Sequence, residues 1–209
     1  MKHPSHSQPA PVRPAQDASV RPLQALWISI LMTLLFTMLT GIMYPLAIWV
    51  IALALPGQAN GSILTVNGTV VGSSLIGQAF TLPKYFHGRP SAGGYDATNS
   101  GGSNYALTNQ KLLDQISRRI ADIRKEDGLA ADATVPADLV TASASGLDPH
   151  ISVEGAMIQV KRVATARKLP EEAVKKAVEE NTDSPFLGIF GTPVVNVLTL
   201  NIALDRLTP

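Results

Sequence analysis

The sequence predicts an α+β protein, with one transmembrane helix near the amino end followed by a mixed α/β domain. Three observations predict it. Leu26 to Leu55 is a run of thirty residues without a charged side chain, more than the ~20 that a helix rising ~1.5 Å per residue needs to cross hydrocarbon about 30 Å thick. Asn67-Gly68 lies between two short β-branched runs, a strong hairpin signal because a type I′ turn requires positive φ at both central positions. Beyond residue 108, apolar side chains return at helical spacing in several separate stretches. The expected divisions are a disordered tail over 1–24, the transmembrane helix over 25–55 and the α/β domain over 56–209.

The tail, residues 1–22, carries five prolines and few large apolar side chains, too little to build a core. His3 and His6 stand there without the further ligands a metal site needs. Within the apolar run, Trp27 and Trp49 sit where indoles settle at the two interfaces. Pro45, one turn after Gly41, predicts a kink, and Gly41 offers a face that another helix can approach closely. A helix from a soluble core would carry a polar stripe, and none is expected here. Ala52-Leu53-Ala54 resembles a signal-peptide cleavage site, but signal h-regions span only about 7 to 15 residues, so an uncleaved anchor is expected. Arg21 immediately precedes the run and no charge follows it until Lys84. The positive-inside rule therefore predicts a cytoplasmic amino end and an extracytoplasmic (periplasmic) domain.

In the domain, Ser62–Val66 and Thr69–Ser73 are expected to pair as a β-hairpin. Thr69-Val70-Val71-Gly72 looks like a potassium selectivity filter, but a filter needs several such loops around one axis. Leu75 to Phe80 is expected to extend or cover the sheet. After a glycine- and serine-rich loop, Thr108 or Asn109 should cap a helix with Leu112, Leu113, Ile116, Ile120 and Ile123 on one stripe and Lys111, Arg118, Arg119 and Arg124 facing water. Pro136 starts a short helix through Val140, and Ser152 caps a helix over Val153–Arg167. A third helix opens at Pro170 and ends near Asn181, with Glu171 and Glu172 reaching Lys175 and Lys176. Pro193 to Leu200 reads as a strand, and Asn201 as the cap of a closing helix through Leu207.

Charge and motifs narrow the function classes. Three basic residues face one acidic residue before the anchor, and fourteen face fifteen after it. A near-neutral domain lacks the basic face that a nucleic-acid partner requires, so none is expected. The absence of cysteine excludes disulfide scaffolds and thiolate metal sites. In Lys84–Ser91, His87 has the chemistry of a base and Arg89 that of an anion clamp. The aromatic and arginine content of the segment favours a structural or contact role. Ser91–Asn104 lacks the Gly-Lys-Ser/Thr ending of a phosphate-binding P-loop. The expected partner contacts are Gly41 in the membrane and Tyr85, Phe86, His87, Arg89, Tyr95, Ser100, Gly101, Gly102, Ser103 and Asn104 outside it. No catalytic residue and no metal ligand are expected. Two rival classes are an anchored extracytoplasmic hydrolase using His150 with Asp148 or a nearby serine, and a free-standing binding module.

A set of short motifs adds a family. Tyr44-Pro45-Leu46 in the span, Gln58–Ser62, Leu75–Gln78, Tyr85–Ser91, Ser100–Asn104, Leu139–Asp148 and Pro193–Asn196 together closely resemble the C subunit of the Kdp potassium-transporting ATPase. The match covers nearly everything after residue 25, but not the proline-rich tail. The resemblance implies a non-catalytic subunit of a bacterial inner-membrane complex, in contact with a channel-like potassium-binding subunit, a P-type ATPase subunit, a small single-span subunit and membrane lipid. Potassium and ATP act on that complex, and no cofactor of the C subunit itself is implied. Two roles follow: a domain over the ion entrance that serves assembly and ion affinity, and a catalytic chaperone that raises ATP affinity. The latter implicates Gln159 in contact with nucleotide.

Overall fold

The computed structural model describes residues 21–207. Residues 1–20 of the expected tail, with His3 and His6, lie outside the described residues. The chain divides into two compact units, one ending at Leu55 and one beginning at Pro56.

The first unit is helical: α1 (Pro22–Met38), a π-helical turn (Leu39–Met43) and α2 (Tyr44–Ala54). It is one helix of 33 residues, long and apolar enough to cross a membrane, with its most apolar stretch unburied. Where a kink is expected, the helix carries a π turn. The Tyr44 N–H bonds the Leu39 carbonyl five residues back, and the widened turn ends immediately before Pro45, which has no N–H to continue the α-helical ladder. The expected lack of a polar stripe is corrected, since Ser29, Thr33 and Thr40 recur at one-face spacing. Each hydroxyl donates to the carbonyl four residues back, at 2.8, 2.8 and 2.6 Å, so these hydrogens are satisfied within the helix.

The second unit opens with α3 (Pro56–Ala59) and the hairpin β1 (Ile63–Val66) and β2 (Thr69–Ser73). Asn67 and Gly68 have φ of 51° and 79°, as the type I′ turn demands. The strands are antiparallel, and the register slips after Leu64, leaving Val71 unpaired. Leu75–Phe80 does not extend this sheet; it runs as turn and loop. There the Gln78 side chain donates to the Val71 carbonyl at 2.9 Å and crosses Gly72 so closely that a Cβ there would meet it at 1.9 Å.

A second antiparallel sheet has the order β3 (His150–Ser152), β5 (Val194–Asn196), β4 (Thr182–Asp183). Ile151 pairs with Val195 on one side, and Thr182 pairs with it on the other. The remaining helices are α4 (Gln110–Glu126), α5 (Ala137–Val140), α6 (Val153–Met157), α7 (Val160–Arg167), α8 (Glu171–Glu180) and α9 (Val197–Leu207). The core gathers Phe86, Ile151, Val163, Val174, Val178, Val195, Leu200 and Leu204.

Several expectations shift. Asn109 does cap α4, accepting from the Lys111 N–H at 2.9 Å, but only Leu112 of the apolar stripe is buried and Leu113 is exposed. Arg119 and Arg124 do not simply face water: they donate to the carbonyls of Val140 and Ala133. The single helix expected over Val153–Arg167 is interrupted by a tighter turn at Ile158–Gln159, where the Gln159 N–H reaches the Ala156 carbonyl. On α8, Lys175 pairs with Glu172 and Lys176 with Glu180, so neither expected i,i+4 pair, Glu171 with Lys175 or Glu172 with Lys176, forms. The final strand ends at Asn196, which caps α9 by accepting from the Thr199 N–H. Asn201 therefore lies inside the helix and not at its start, because the valine-rich run that reads as a strand already has helical spacing at Val197, Leu200 and Leu204.

Candidate functional site

The segment from Pro83 to Arg89 has no strand beside it, so its backbone groups need other partners. Buried side chains from α7, α9 and the turn before α7 supply them. Arg162 of α7, its side chain 6% exposed, donates from Nη1 to the carbonyls of Pro83 and Tyr85 at 2.7 and 2.8 Å. Its Nε binds Asp127 at 2.7 Å and its Nη2 the Gln159 Oε1 at 2.7 Å. Arg167 donates from Nε to the Lys84 carbonyl at 2.6 Å and from Nη2 to Asp205 at 2.8 Å, and its guanidinium lies over the Tyr85 ring. Asn201 of α9 grips Phe86 twice, Oδ1 accepting its N–H at 2.8 Å and Nδ2 donating to its carbonyl at 3.0 Å. Gln159 does the same for His87, at 2.8 and 3.2 Å, and also donates to the Gly155 carbonyl at 3.0 Å. Five successive carbonyls, Pro83 to His87, thus each accept from a side chain.

This clamp sets what each expected contact residue can offer. Phe86 is fully buried in the core, so its ring anchors the segment from within. Tyr85, His87 and Arg89 are half-buried along it. Burial foremost, and then the positive charge of Arg162, hold the His87 pKa below its ordinary value. That shift favours the neutral imidazole, whose Nδ1 lies 3.5 Å from the Glu126 carboxylate. Asp127 shows the opposite balance: burial pushes its carboxyl upward while the bond to Arg162 pulls it back. Arg89 pairs with Asp148 at 3.0 Å. The hydrogen bond from His150, reinforced by Arg89, holds the Asp148 carboxyl down at about 2 despite partial burial.

The glycine-rich loop is tied to the loop before β3. Tyr95 donates its hydroxyl to the Arg89 carbonyl, Ser91 Oγ donates to the Gly146 carbonyl at 2.6 Å, and the Gly101 N–H and Ser100 Oγ both donate to the Ser145 carbonyl. The approach is close: a Cβ on Gly77 would meet the Asp148 carbonyl at 2.5 Å, and one on Gly146 the Gly101 carbonyl at 2.7 Å. Gly102 and Ser103 are half-buried in this seam, whereas Ser100 and Asn104 are exposed. The structure thus brings Tyr85, His87, Arg89, Tyr95 and Ser100–Asn104 into one connected set of loops. Gly41 belongs to the first unit, with only a Thr37 methyl within 4 Å of where a Cβ would lie.

A cleft of about 620 Å³ opens beside the Arg89–Asp148 pair, with Asp138, His150, Ser152 and Glu154 on its walls. The rival hydrolase would draw its nucleophile from here. Ser152 is committed elsewhere: its hydroxyl donates to Asp138 at 3.1 Å and accepts the Gly155 N–H at 2.9 Å as the α6 cap. Among the described residues no group of three His, Cys, Asp or Glu side chains is placed to hold a metal. Gln159 is 2% exposed with both ends of its amide engaged, so nucleotide could reach it only if the clamp opened.

A model of the family described as K+-transporting ATPase, c chain, matches residues 26–206. The chain belongs to the KdpC family. It is 53% identical over 173 residues to the potassium-transporting ATPase KdpC subunit of Caldanaerobacter subterraneus subsp. tengcongensis, covering 82% of this chain and 90% of that one. The KdpC subunit of Mycobacterium tuberculosis is 51% identical over 179 residues, covering 84% and 95%. That of Bradyrhizobium diazoefficiens is 48% identical over 193, covering 85% and 94%. The family and the long apolar helix together make this a membrane protein, a KdpC subunit of the K+-transporting ATPase.

Sequence reasoning passed over four residues that build the clamp, Arg162, Arg167, Asp127 and Asp205, and read a fifth, Asn201, only as a helix cap. A signal was present for Arg162 and Asn201, each a polar residue within an apolar helical run, Val160-Arg162-Val163-Ala164 and Val197-Leu200-Asn201-Leu204. A polar group at such a place needs a buried partner.

Proposed function

We propose that this subunit acts in potassium uptake without chemistry of its own, by presenting the clamped loops to a larger, channel-like potassium-binding subunit. The observation that carries the reading is the unbroken series of side-chain bonds to the carbonyls of Pro83 to His87. Two buried arginines and two buried amides fix a segment whose Tyr85, His87 and Arg89 are part-exposed. Such pre-organisation lowers the entropy lost on docking. Arg21 just before the span supports a cytoplasmic amino end and an extracytoplasmic domain. In that orientation the domain serves assembly and ion affinity, and any effect on ATP affinity passes through subunit contacts, since cytoplasmic nucleotide is out of its reach. A P-type ATPase subunit and a small single-span subunit complete the proposed complex, with Gly41 as a close-packing point for a neighbouring helix.

The test is capture of the tagged full-length chain from gently solubilised native membranes, with potassium uptake measured in parallel. Wild type should bring down the channel-like and ATPase subunits in fixed ratio. Charge reversal at the half-buried Arg89, Arg89→Glu, which also removes its bond to Asp148, should weaken that recovery or raise the potassium concentration needed for half-maximal uptake. Normal assembly and uptake at micromolar potassium in that variant would refute the assignment of these loops.

A further inference from the structure

Ser184 to Thr192 is a nine-residue stretch without a charge. It forms a small hairpin in which Phe186 and Phe190 pair across an antiparallel bridge. Its four large side chains point away from the protein: Phe186 is 72% exposed, Leu187 73%, Ile189 79% and Phe190 65%. A soluble surface rarely gathers such side chains without a partner. The backbone adds a second observation. Leu187 and Gly188 have φ of 54° and 71°, and the left-handed region disfavours leucine where glycine or asparagine would serve the turn. The turn thus keeps a large apolar side chain at a position whose geometry selects against it.

We infer that this tip inserts into the lipid bilayer at the headgroup–acyl boundary, as a second, shallow membrane contact of the domain. The N–H groups of Phe186, Gly188, Ile189 and Phe190 bond within the tip, to the carbonyls of Phe190, Pro185, Phe186 and Phe186 respectively. Those bonds lower the cost of bringing the turn to the headgroup–acyl boundary, where the remaining backbone groups still meet water. A protein-docking patch surrounds its apolar core with a polar rim and direct hydrogen bonds, whereas Phe-Leu-Gly-Ile-Phe offers neither a side-chain hydrogen bond nor a charge. With no lysine or arginine in the tip, its insertion does not depend on anionic lipid. The inference rests on reading Pro22–Ala54 as a membrane anchor. Only Leu55 to Ser62 separates the end of that anchor from the first strand, so the bilayer holding it is an apolar phase within reach of the domain.

The test uses the full-length chain in phosphatidylcholine vesicles. Because the sequence has no cysteine, single-cysteine variants can each carry one environment-sensitive fluorophore. Ile189→Cys reports the tip, Leu35→Cys the anchor, and Leu107→Cys, at an 86% exposed position of the same domain, reports water. The tip probe should emit to the blue of the Leu107 probe and be quenched at least about twofold by lipids spin-labelled near the headgroup, since interfacial segments lie ~5–10 Å deep. Adding Phe186→Ser and Phe190→Ser should abolish the quenching, with the circular dichroism unchanged because both side chains are exposed. If the tip probe behaves like the Leu107 probe while the Leu35 probe is quenched, the inference fails and the anchor reading survives. If the Leu35 probe is also unquenched, both fail. Shielding of the tip only after the other subunits are reconstituted would assign it to a protein partner and overturn the lipid contact.

Discussion

Replacing Gln159 by leucine tests whether this side chain is a structural clamp or a ligand contact. The leucine fills similar space but removes every polar bond the amide makes. The His87 N–H and carbonyl, the Gly155 carbonyl and one Arg162 N–H each lose a partner. A buried polar group left unsatisfied costs ~1–3 kcal/mol. Relaxation of the His87 segment toward solvent recovers part of that, so a loss of about 3–5 kcal/mol is expected. Domains of this kind are stable by only about 5–15 kcal/mol, and with a urea slope of about 2 kcal/mol/M the midpoint should fall by roughly 2 M. Gln159→Glu keeps the acceptor for His87 and Arg162 but loses both donated bonds, and should fall between the two. Urea unfolding of the full-length chain in mild detergent, followed by near-ultraviolet circular dichroism, measures the shift. An unchanged midpoint in Gln159→Leu, with altered ATP affinity of the assembled complex, would refute the clamp and restore the nucleotide role.

Three further outcomes are expected. Arg162→Met leaves Asp127, 5% exposed, without its 2.7 Å partner, at a cost of about 3–5 kcal/mol; in a double-mutant cycle, Arg162→Met with Asp127→Leu should recover part of it, and strictly additive losses would disprove the coupling. The Asp148 carboxyl, held at about 2 in the fold against an ordinary 3.8, contributes stability that is fully present above about pH 5 and lost as pH falls toward 2; an acid titration of unfolding should be shallower in Asp148→Asn across that window, and an identical profile would count against the depressed value. Gly77→Ala drives a Cβ to 2.5 Å from the Asp148 carbonyl and 2.7 Å from the Tyr95 ring and should cost ~1–3 kcal/mol, whereas Gly57→Ala, with no atom within 4 Å, should leave the melting temperature unchanged or slightly raised.

The sequence by itself determined the features that depend on neighbours along the chain. Thirty uncharged residues suffice to make a helix that can cross a membrane, since hydrocarbon rewards apolar length whatever lies elsewhere. Asn67-Gly68 determined its hairpin because the turn needs only two residues with positive φ, and Asn109 and Ser152 determined their caps because each bonds an N–H two or three residues on. The motifs determined the family, as short ordered strings of residues do without reference to space. Tertiary structure decided the rest. Val197–Leu200 could have been strand or helix by propensity, and it is helix because Asn196 caps it and its apolar face meets the core. Phe86, an exposed contact on composition, is an internal anchor because Asn201, 115 residues away, holds its backbone. The clamp itself joins Arg162, Arg167, Gln159 and Asn201 to a segment more than seventy residues earlier. No local pattern specifies such a pairing, because a buried donor chooses its acceptor only after the chain has folded around both.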